Sequence, residues 1–365
     1  MGLQQKKDNN EKSFTINFDA LGTFDKIADD NPMKSKNFKA LRIYEVSPGI
    51  FERRIESCGL DILPAGEVLI NVHYSSLNYK DALSASGNKG VSRKYPHTPG
   101  IDAAGIVENS LSPAFEPGDE VIVTGYDLGM NTPGGFCSYI RVPAAWVVPK
   151  PDNLTLRESM IYGTAGFTAA LALRKLQHNG QKPESGPILV TGASGGVGSL
   201  AITLLSGAGY EVIASSGKTK ESANLKILGA SSVISRDEVN DLSGRALLRG
   251  RWAGAIDTVG GNTLATILKS CMAHGSVACC GNVSSPDLNT TVFPFILNGV
   301  SLLGINSATC PMPERKKIWE LLATTWKIQL PENYITVCSL AKMPHWIDMI
   351  LKGDLCGRVV LDHRL

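Results

Sequence analysis

No run of about 18 consecutive apolar residues occurs in the 365-residue chain, so no membrane-spanning helix is expected. Charge is sparse and balanced. Thirty-six Lys and Arg stand against 34 Asp and Glu, a net charge of +2, and charged residues make up 19% of the chain. This gives no broad positive field for nucleic acid or an anionic membrane, so phosphate recognition has to be local. Histidine is also scarce. The six (His73, His97, His178, His274, His345 and His363) form no pair at helical ligand spacing. The eight cysteines (Cys58, Cys137, Cys271, Cys279, Cys280, Cys310, Cys338 and Cys356) contain no CxxC pair and no regular framework. That excludes a disulfide scaffold and points to free thiols in a reducing, cytoplasmic setting. No GxSxG elbow or other nucleophile motif is present, so hydrolysis has no visible machinery. No metal is expected, and the hard chemistry is left to an organic cofactor.

What is present suits two packed domains. Hydrophobic residues make up 43%, enough for a sizeable core. Residues 1–37 are polar and mixed in charge. They lack the apolar segment of a secretory signal, and Asp19, Asp25, Asp29 and Asp30 do not suit a transit peptide. They read as a flexible extension with a short amphipathic piece around Phe14–Phe24. From Phe38, the runs KALRIYEV, VLINVHYSS, IDAAGIVE, DEVIVTG, FCSYIRV and AWVVPK read as short strands separated by Pro/Gly turns. That spacing suits an antiparallel, barrel-like domain. Near Leu154 the pattern changes to a long helical stretch. The strands PILVTG, EVIASS, VISR, AGAIDTV, SVACCG and SLLGINS follow, with helices over 200–208, 221–228 and 263–272 between several of them. This alternation implies a parallel sheet covered on both faces. Two helical stretches and a last strand, GRVVLD, follow Pro313.

The strongest motif is PILVTGASGGVGSLAITLL (Pro187–Leu205), a strand running into Gly192, Gly195, Gly196 and Gly198 and then an apolar helix. Glycines let the backbone turn sharply and approach a pyrophosphate, which the helix's first amides then face; Ser194 adds a hydroxyl. The second strand, EVIASS, ends in Ser215, Ser216, Gly217, Lys218, Thr219 and Lys220 rather than the Asp or Glu that holds an NAD ribose. Hydroxyls and ammonium groups suit a 2′-phosphate, and Arg236 past the third strand adds a cation. The expected cofactor is NADPH; the competing reading is a solvated basic turn.

SSLNYKDAL (Ser75–Leu83), PGIDAAG (Pro99–Gly105), PGDEV (Pro117–Val121), GTAGFTA (Gly163–Ala169), VTGASGGVGS (Val190–Ser199), WAGAIDTVGG (Trp252–Gly261) and PFIL (Pro294–Leu297) together resemble the medium-chain dehydrogenase/reductase superfamily. Within it, the pattern over residues 38–365 resembles the zinc-free, quinone-oxidoreductase-like branch, and there the acryloyl-CoA reductase group. The four-cysteine lobe of the zinc-containing enzymes is absent, and Ile101–Asp102 stands where they place a His-Glu pair. The resemblance implies an α/β fold, a Rossmann doubly wound parallel sheet plus a GroES-like β-rich catalytic domain. The catalytic domain spans 38–157, the NADPH-binding Rossmann domain 158–312, and a C-terminal segment, 313–365, completes the catalytic domain. It also implies a homodimer formed through the Rossmann domain. Carried over by position, the cofactor site comprises Tyr79, Ser194, Gly195, Gly196, Val197, Ser216, Gly217, Lys218, Arg236, Asn282, Ile296, Ser307 and Arg358. Asn282 departs from the apolar residue of the pattern.

The implied reaction is reduction of the C=C bond of an α,β-unsaturated acyl-CoA, acryloyl-CoA to propanoyl-CoA. Hydride reaches Cβ, a donor stabilises the enolate oxygen, and Cα gains a proton. Tyr79 is a candidate for cofactor binding or proton relay, Asn78 for donation to the oxyanion, and Asp81 for capping the helix that follows. Tyr95 is a further candidate donor. Lys89, Arg93 and Lys94 form a basic loop that meets the ADP end of CoA or is simply solvated. Cys137 is a modifiable thiol or a packing residue. Two competing functions share the scaffold: an NADPH-dependent quinone or α,β-unsaturated ketone reductase, and a non-enzymatic NADPH-binding sensor or scaffold. No nucleic-acid or membrane partner is expected.

Overall fold

The computed structural model describes residues 36–365, and the extension expected over residues 1–37 lies, up to residue 35, outside the described residues. The chain then opens with a hairpin of β1 (Asn37–Ser47) and β2 (Ile50–Gly59), paired antiparallel across Pro48–Gly49. β3 (Val68–Ser76) runs into the short helix α1 (Tyr79–Ser84). β4 (Asp102–Ser110), β5 (Glu120–Thr124), β6 (Tyr139–Val142) and β7 (Val147–Pro149) follow. The long helix α2 (Leu156–His178) leads into the second unit. Its elements are β8 (Ile188–Val190), α3 (Gly196–Gly207), β9 (Val212–Ser216), α4 (Ser222–Ile227), β10 (Ser232–Ser235), β11 (Trp252–Asp257), α5 (Gly261–Lys269), β12 (Cys271–Cys279), α6 (Phe293–Asn298) and β13 (Ser301–Gly304). The chain ends with α7 (Met312–Ala323), β14 (Ile335–Cys338), α8 (Met343–Leu351) and β15 (Arg358–Asp362).

The second unit is a six-stranded sheet in the order β10-β9-β8-β11-β12-β13, with every neighbouring pair parallel. The order reverses direction between β8 and β11, and ligands of open parallel sheets bind outside the strand ends at such a switch point. In the first unit the strand order is β14-β15-β3-β4-β5-β7, with β6 also paired to β3. Its pairs are antiparallel except for β14 and β15. The last strand of the chain thus returns to lie beside β3.

α2 joins the two units. Thr155 caps it by accepting from the Glu158 amide, and Glu158 reaches back to the Thr155 amide at 2.8 Å. One continuous core surrounds the helix: Met160 and Phe167 of α2, Leu200 and Leu204 of α3, Trp319 of α7 and Val360 of β15 all belong to it. Each such side chain contributes about 1.5–3 kcal/mol by leaving water. No helix among the described residues is long and apolar enough to cross a membrane.

Three elements had no sequence signal. β2 (FERRIESCG) carries charges on both faces and is a strand because it pairs with β1. β14 is only four residues long, and α6 begins at a Phe-Pro pair. The expected helix 263–272 stops at Lys269 because Cys271 pairs with Trp252 in the sheet.

α2 is broken at Gly163, which has φ +50° and ψ −154°. A Cβ there would lie 2.4 Å from Asp102 Oδ2 and 2.5 Å from Ser76 Oγ. Gly163→Ala adds left-handed strain to a clash with fixed polar atoms. We expect thermal unfolding to show a loss of about 3 kcal/mol or more; a loss below about 1 kcal/mol would show that the break is not sterically required.

Candidate active site

Asp102, at the start of β4, is fully buried and accepts hydrogen bonds from three elements. Ser76 Oγ donates to Oδ2 at 2.6 Å from the end of β3, and Asn78 Nδ2 donates to the same oxygen at 2.7 Å. Just past the break in α2, the Thr164 amide donates to both oxygens at 2.9–3.0 Å and Thr164 Oγ1 donates to Oδ1 at 2.5 Å. Ser76 Oγ in turn accepts from Arg358 Nη2 at 2.9 Å. The buried Arg358 also donates through Nε to Ile161 O at 2.9 Å and through Nη1 to Leu77 O at 3.3 Å. Burial pulls the guanidinium below its ordinary pKa, and the Asp102 and Asp81 carboxylates oppose that pull.

Asp81 is a second buried carboxylate in contact with this network. It caps α1 by accepting from the Asn78 amide at 2.8 Å, and it also accepts from the Gly100 and Ile101 amides at 3.1 and 2.8 Å. Burial, reinforced by the Asp102 charge, pushes its pKa up to about 7. The Asn78 amide nitrogen faces Asp102, Asp81 (3.3 Å) and Ser76 O (3.4 Å). Its hydrogens are directed at groups inside the protein, so Asn78 ties this loop to Asp102 and Asp81. Tyr79 beside it is 41% exposed.

The glycine-rich turn forms as the motif requires. A Cβ on Gly198 would lie 2.3 Å from Gly192 O, so only glycine lets the first turn of α3 pack on the end of β8. Ser194 is buried, and its carbonyl accepts from the Gly357 amide at 3.2 Å. A Cβ on Gly196 would lie 2.9 Å from Arg358 Nη1, so this guanidinium borders the turn as well as the Asp102 network. At the tip of β9, Ser216 Oγ accepts from the Lys218 amide at 3.1 Å. Arg236 lies against Gly217, with Cδ 3.0 Å and Cζ 3.2 Å from the position of a Cβ there. Ser216, Gly217, Lys218 and Arg236 therefore come together.

Other expected residues lie further out. Ser307, after β13, meets α2 where Thr168 Oγ1 approaches its hydroxyl at 2.9 Å. Asn282 is exposed in the loop after β12, its Cα 3.1 Å from a Cβ built on Gly260. Ile296 is 67% exposed on α6, and its neighbours Phe293 and Leu297 are exposed in part. Tyr95 donates its hydroxyl to Ser84 O at 2.8 Å. Lys89 bonds Glu45 and lies over the rings of Phe51 and Tyr95, while Arg93 and Lys94 remain exposed. Cys137 is buried, with its thiol pushed up to about 12, so it packs rather than reacts. All eight cysteines are free.

Sequence reasoning missed Arg315. Its guanidinium is fully buried, donates to Thr124 O (2.8 Å), Ser307 O (2.9 Å) and Ala308 O (3.0 Å), and faces the rings of Tyr126 and Phe167 at 4.5 and 5.0 Å. It pins the loop carrying Ser307 to the catalytic unit. Its spacing with Ile318, Trp319 and Leu322 was a usable signal, a cation on the apolar stripe of a helix.

Residues 64–152 match the alcohol dehydrogenase GroES-like domain family, and residues 196–324 match the zinc-binding dehydrogenase family. The chain is 46% identical over 311 residues to the putative quinone oxidoreductase YhfP of Bacillus subtilis, covering 84% of this chain and 93% of that protein. The chain belongs to the medium-chain dehydrogenase/reductase superfamily. Another superfamily member, the acrylyl-CoA reductase AcuI of Ruegeria pomeroyi, is 43% identical over 86% of this chain and 95% of its own. The crystal structure of the YhdH oxidoreductase from Salmonella enterica in complex with NADP superposes with a TM-score of 0.85 at 42% identity, covering 89% of this chain and 99% of that one. YhfP with NAD bound superposes at 0.86 and 44% identity, over 90% and 100%. The zinc in the second family's name does not fit here. Asp102 is saturated by internal donors, Ile101 offers no donor atom, and no cluster of three His, Cys, Asp or Glu occurs among the described residues.

Asp81 sets a pH dependence. Its native pKa lies above the ordinary aspartate value of 3.8. Between about pH 4 and 7, the native state therefore keeps a proton that the unfolded chain has released, and stability falls as pH rises. Urea unfolding of the wild type and Asp81→Asn across this window should show a slope of up to about 1.4 kcal/mol per pH unit in the wild type that flattens in the variant. Equal slopes would assign the titration elsewhere.

Proposed function

We propose that the protein uses NADPH to reduce the C=C bond of an α,β-unsaturated acyl-CoA, with acryloyl-CoA as the simplest substrate. The observation that carries the cofactor half is the convergence of Ser216, Lys218 and Arg236 at the tip of β9, with no carboxylate before Glu221. Two cations favour a 2′-phosphate that a carboxylate would repel. The NADP bound to YhdH supports this choice, and the NAD bound to YhfP makes the direct comparison of cofactors necessary. The substrate half rests on the likeness to acrylyl-CoA reductases, 43% identical for the Ruegeria protein and 44% for the probable enzyme of Escherichia coli.

The bound nicotinamide would supply hydride to Cβ. The chain's own part is to hold, orient and donate. The amides of the glycine-rich turn and the start of α3 would hold the pyrophosphate, with Arg358 behind Gly196. The Asp102 network fixes the Asn78–Tyr79 segment. The exposed Tyr79 hydroxyl is the side-chain donor for the enolate oxygen or the proton at Cα. The exposed Arg93 and Lys94 suit the phosphates of CoA.

A homodimer working in the cytoplasm belongs to the same proposal. β13 is an edge strand, and Val283, Val292, Phe293, Ile296, Leu297 and Leu302 are exposed in and near β13 and α6. The second reading, a quinone or unsaturated-ketone reductase, is favoured by the 46% identity to YhfP, itself named a putative quinone oxidoreductase.

Loss of NADPH absorbance is followed with acryloyl-CoA, with crotonoyl-CoA, a simple quinone and NADH run beside it. Fast NADPH oxidation by the thioester, with NADH poor, is the expected result. Turnover with the quinone alone overturns the CoA assignment. For Tyr79→Phe we expect kcat to fall about tenfold or more; an unchanged kcat removes the hydroxyl from the chemistry.

A further inference from the structure

The four residues Leu355–Arg358, the end of the loop after α8 and the first residue of β15, lie across the cofactor face of the second unit, although β15 completes the sheet of the first. Lys218 Nζ donates to Leu355 O at 2.8 Å and approaches Cys356 Sγ at 3.3 Å. One residue on, the Gly357 amide donates to Ser194 O at 3.2 Å, and after it Arg358 borders Gly196. The segment thus touches the tip of β9 and the glycine-rich turn at successive positions.

We propose that this segment selects the 2′-phosphorylated cofactor by holding the Lys218 ammonium at the phosphate site, with Cys356 as a positioning residue. The inference rests on the NADPH reading above. The carbonyl and the thiol are both neutral, so they aim the ammonium without adding a negative charge of their own, and the Glu221 carboxylate lies on the same thiol. An ammonium has three N–H donors. Two are directed at the segment, which leaves one for a phosphate oxygen beside Ser216 and Arg236. A free lysine side chain gives up rotamer entropy when it is immobilised. Here that ordering happens on folding rather than on binding, which favours the cofactor that uses it. Burial raises the pKa of the Cys356 thiol, so it stays protonated and uncharged beside the lysine.

The test uses the full chain and three variants, Lys218→Met, Cys356→Leu and Cys356→Ser, with KM and kcat measured for NADPH and NADH. Lys218→Met should shift the ratio of the two KM values by about tenfold or more against NADPH. Cys356→Leu should shift it the same way by about three- to fivefold, through KM rather than kcat, and Cys356→Ser should restore it. If Lys218→Met shifts the ratio and Cys356→Leu does not, the segment plays no part in selection and the NADPH reading stands. If Lys218→Met leaves the ratio unchanged, the 2′-phosphate site itself is misassigned. Amide hydrogen exchange on the wild type needs no variant. Exchange over residues 353–357 should slow with 2′,5′-ADP and not with 5′-ADP; equal protection by both overturns the proposal.

Discussion

A buried carboxylate has to be surrounded by donors, and the requirement at Asp102 organises this protein. Leaving an ionised carboxylate in an apolar interior without partners is prohibitively costly. Its two oxygens therefore collect Ser76, Asn78 and the amide and hydroxyl of Thr164. Those donors come from the end of β3, the loop before α1 and the restart of α2. Through Ser76 the network reaches Arg358 and hence β15, the last strand of the chain. The break at Gly163 is part of the same solution, because no side chain fits between Asp102, Ser76 and Arg358. In the zinc-containing branch of the superfamily the matching stretch carries a His-Glu pair. Here it carries an internal acceptor that orients protein groups.

The cofactor domain is fastened to this network from two sides. Arg358 and Gly357 connect it to the glycine-rich turn, and Arg315 holds the Ser307 loop against Thr124 and Tyr126. Both arginines are buried and donate to backbone carbonyls. Such contacts depend on geometry more than on charge pairing, so they fix the two units in a definite relation. The position of Tyr79 relative to the phosphate turn is then a property of the whole molecule.

Much of this was legible in the sequence. The parallel sheet, the glycine-rich turn and the acid-free tip of the second strand each follow from local rules that act over a few residues. Gly192 to Gly198 need no partner elsewhere to declare a phosphate turn. Ser216 announces its hydroxyl, and Lys218 and Arg236 their charge, before the fold brings them together. The less legible parts depend on pairing at a distance. β2 exists because β1 lies beside it, and α6 because the chain turns back to β13. Asp102 stood out in the sequence only as a poor zinc ligand, since its role is set by donors 24, 26 and 62 residues away along the chain. The surroundings of Asn78 were hidden for the same reason. A side-chain amide near a reactive centre suggests a donor to substrate, but here its hydrogens point at Asp102, Asp81 and Ser76.

The most direct measurement on the Asp102 network is the unfolding free energy of Asp102→Asn, taken together with its NADPH dissociation constant. The substitution keeps the shape, removes the charge facing Arg358, and sets an amide against the Asn78 amide and the Ser76 hydroxyl. A network that organises the site predicts a loss of about 3–5 kcal/mol and weaker cofactor binding, because Arg358 and the turn lose their common support. A variant within about 1 kcal/mol of the wild type that binds NADPH as tightly would contradict it.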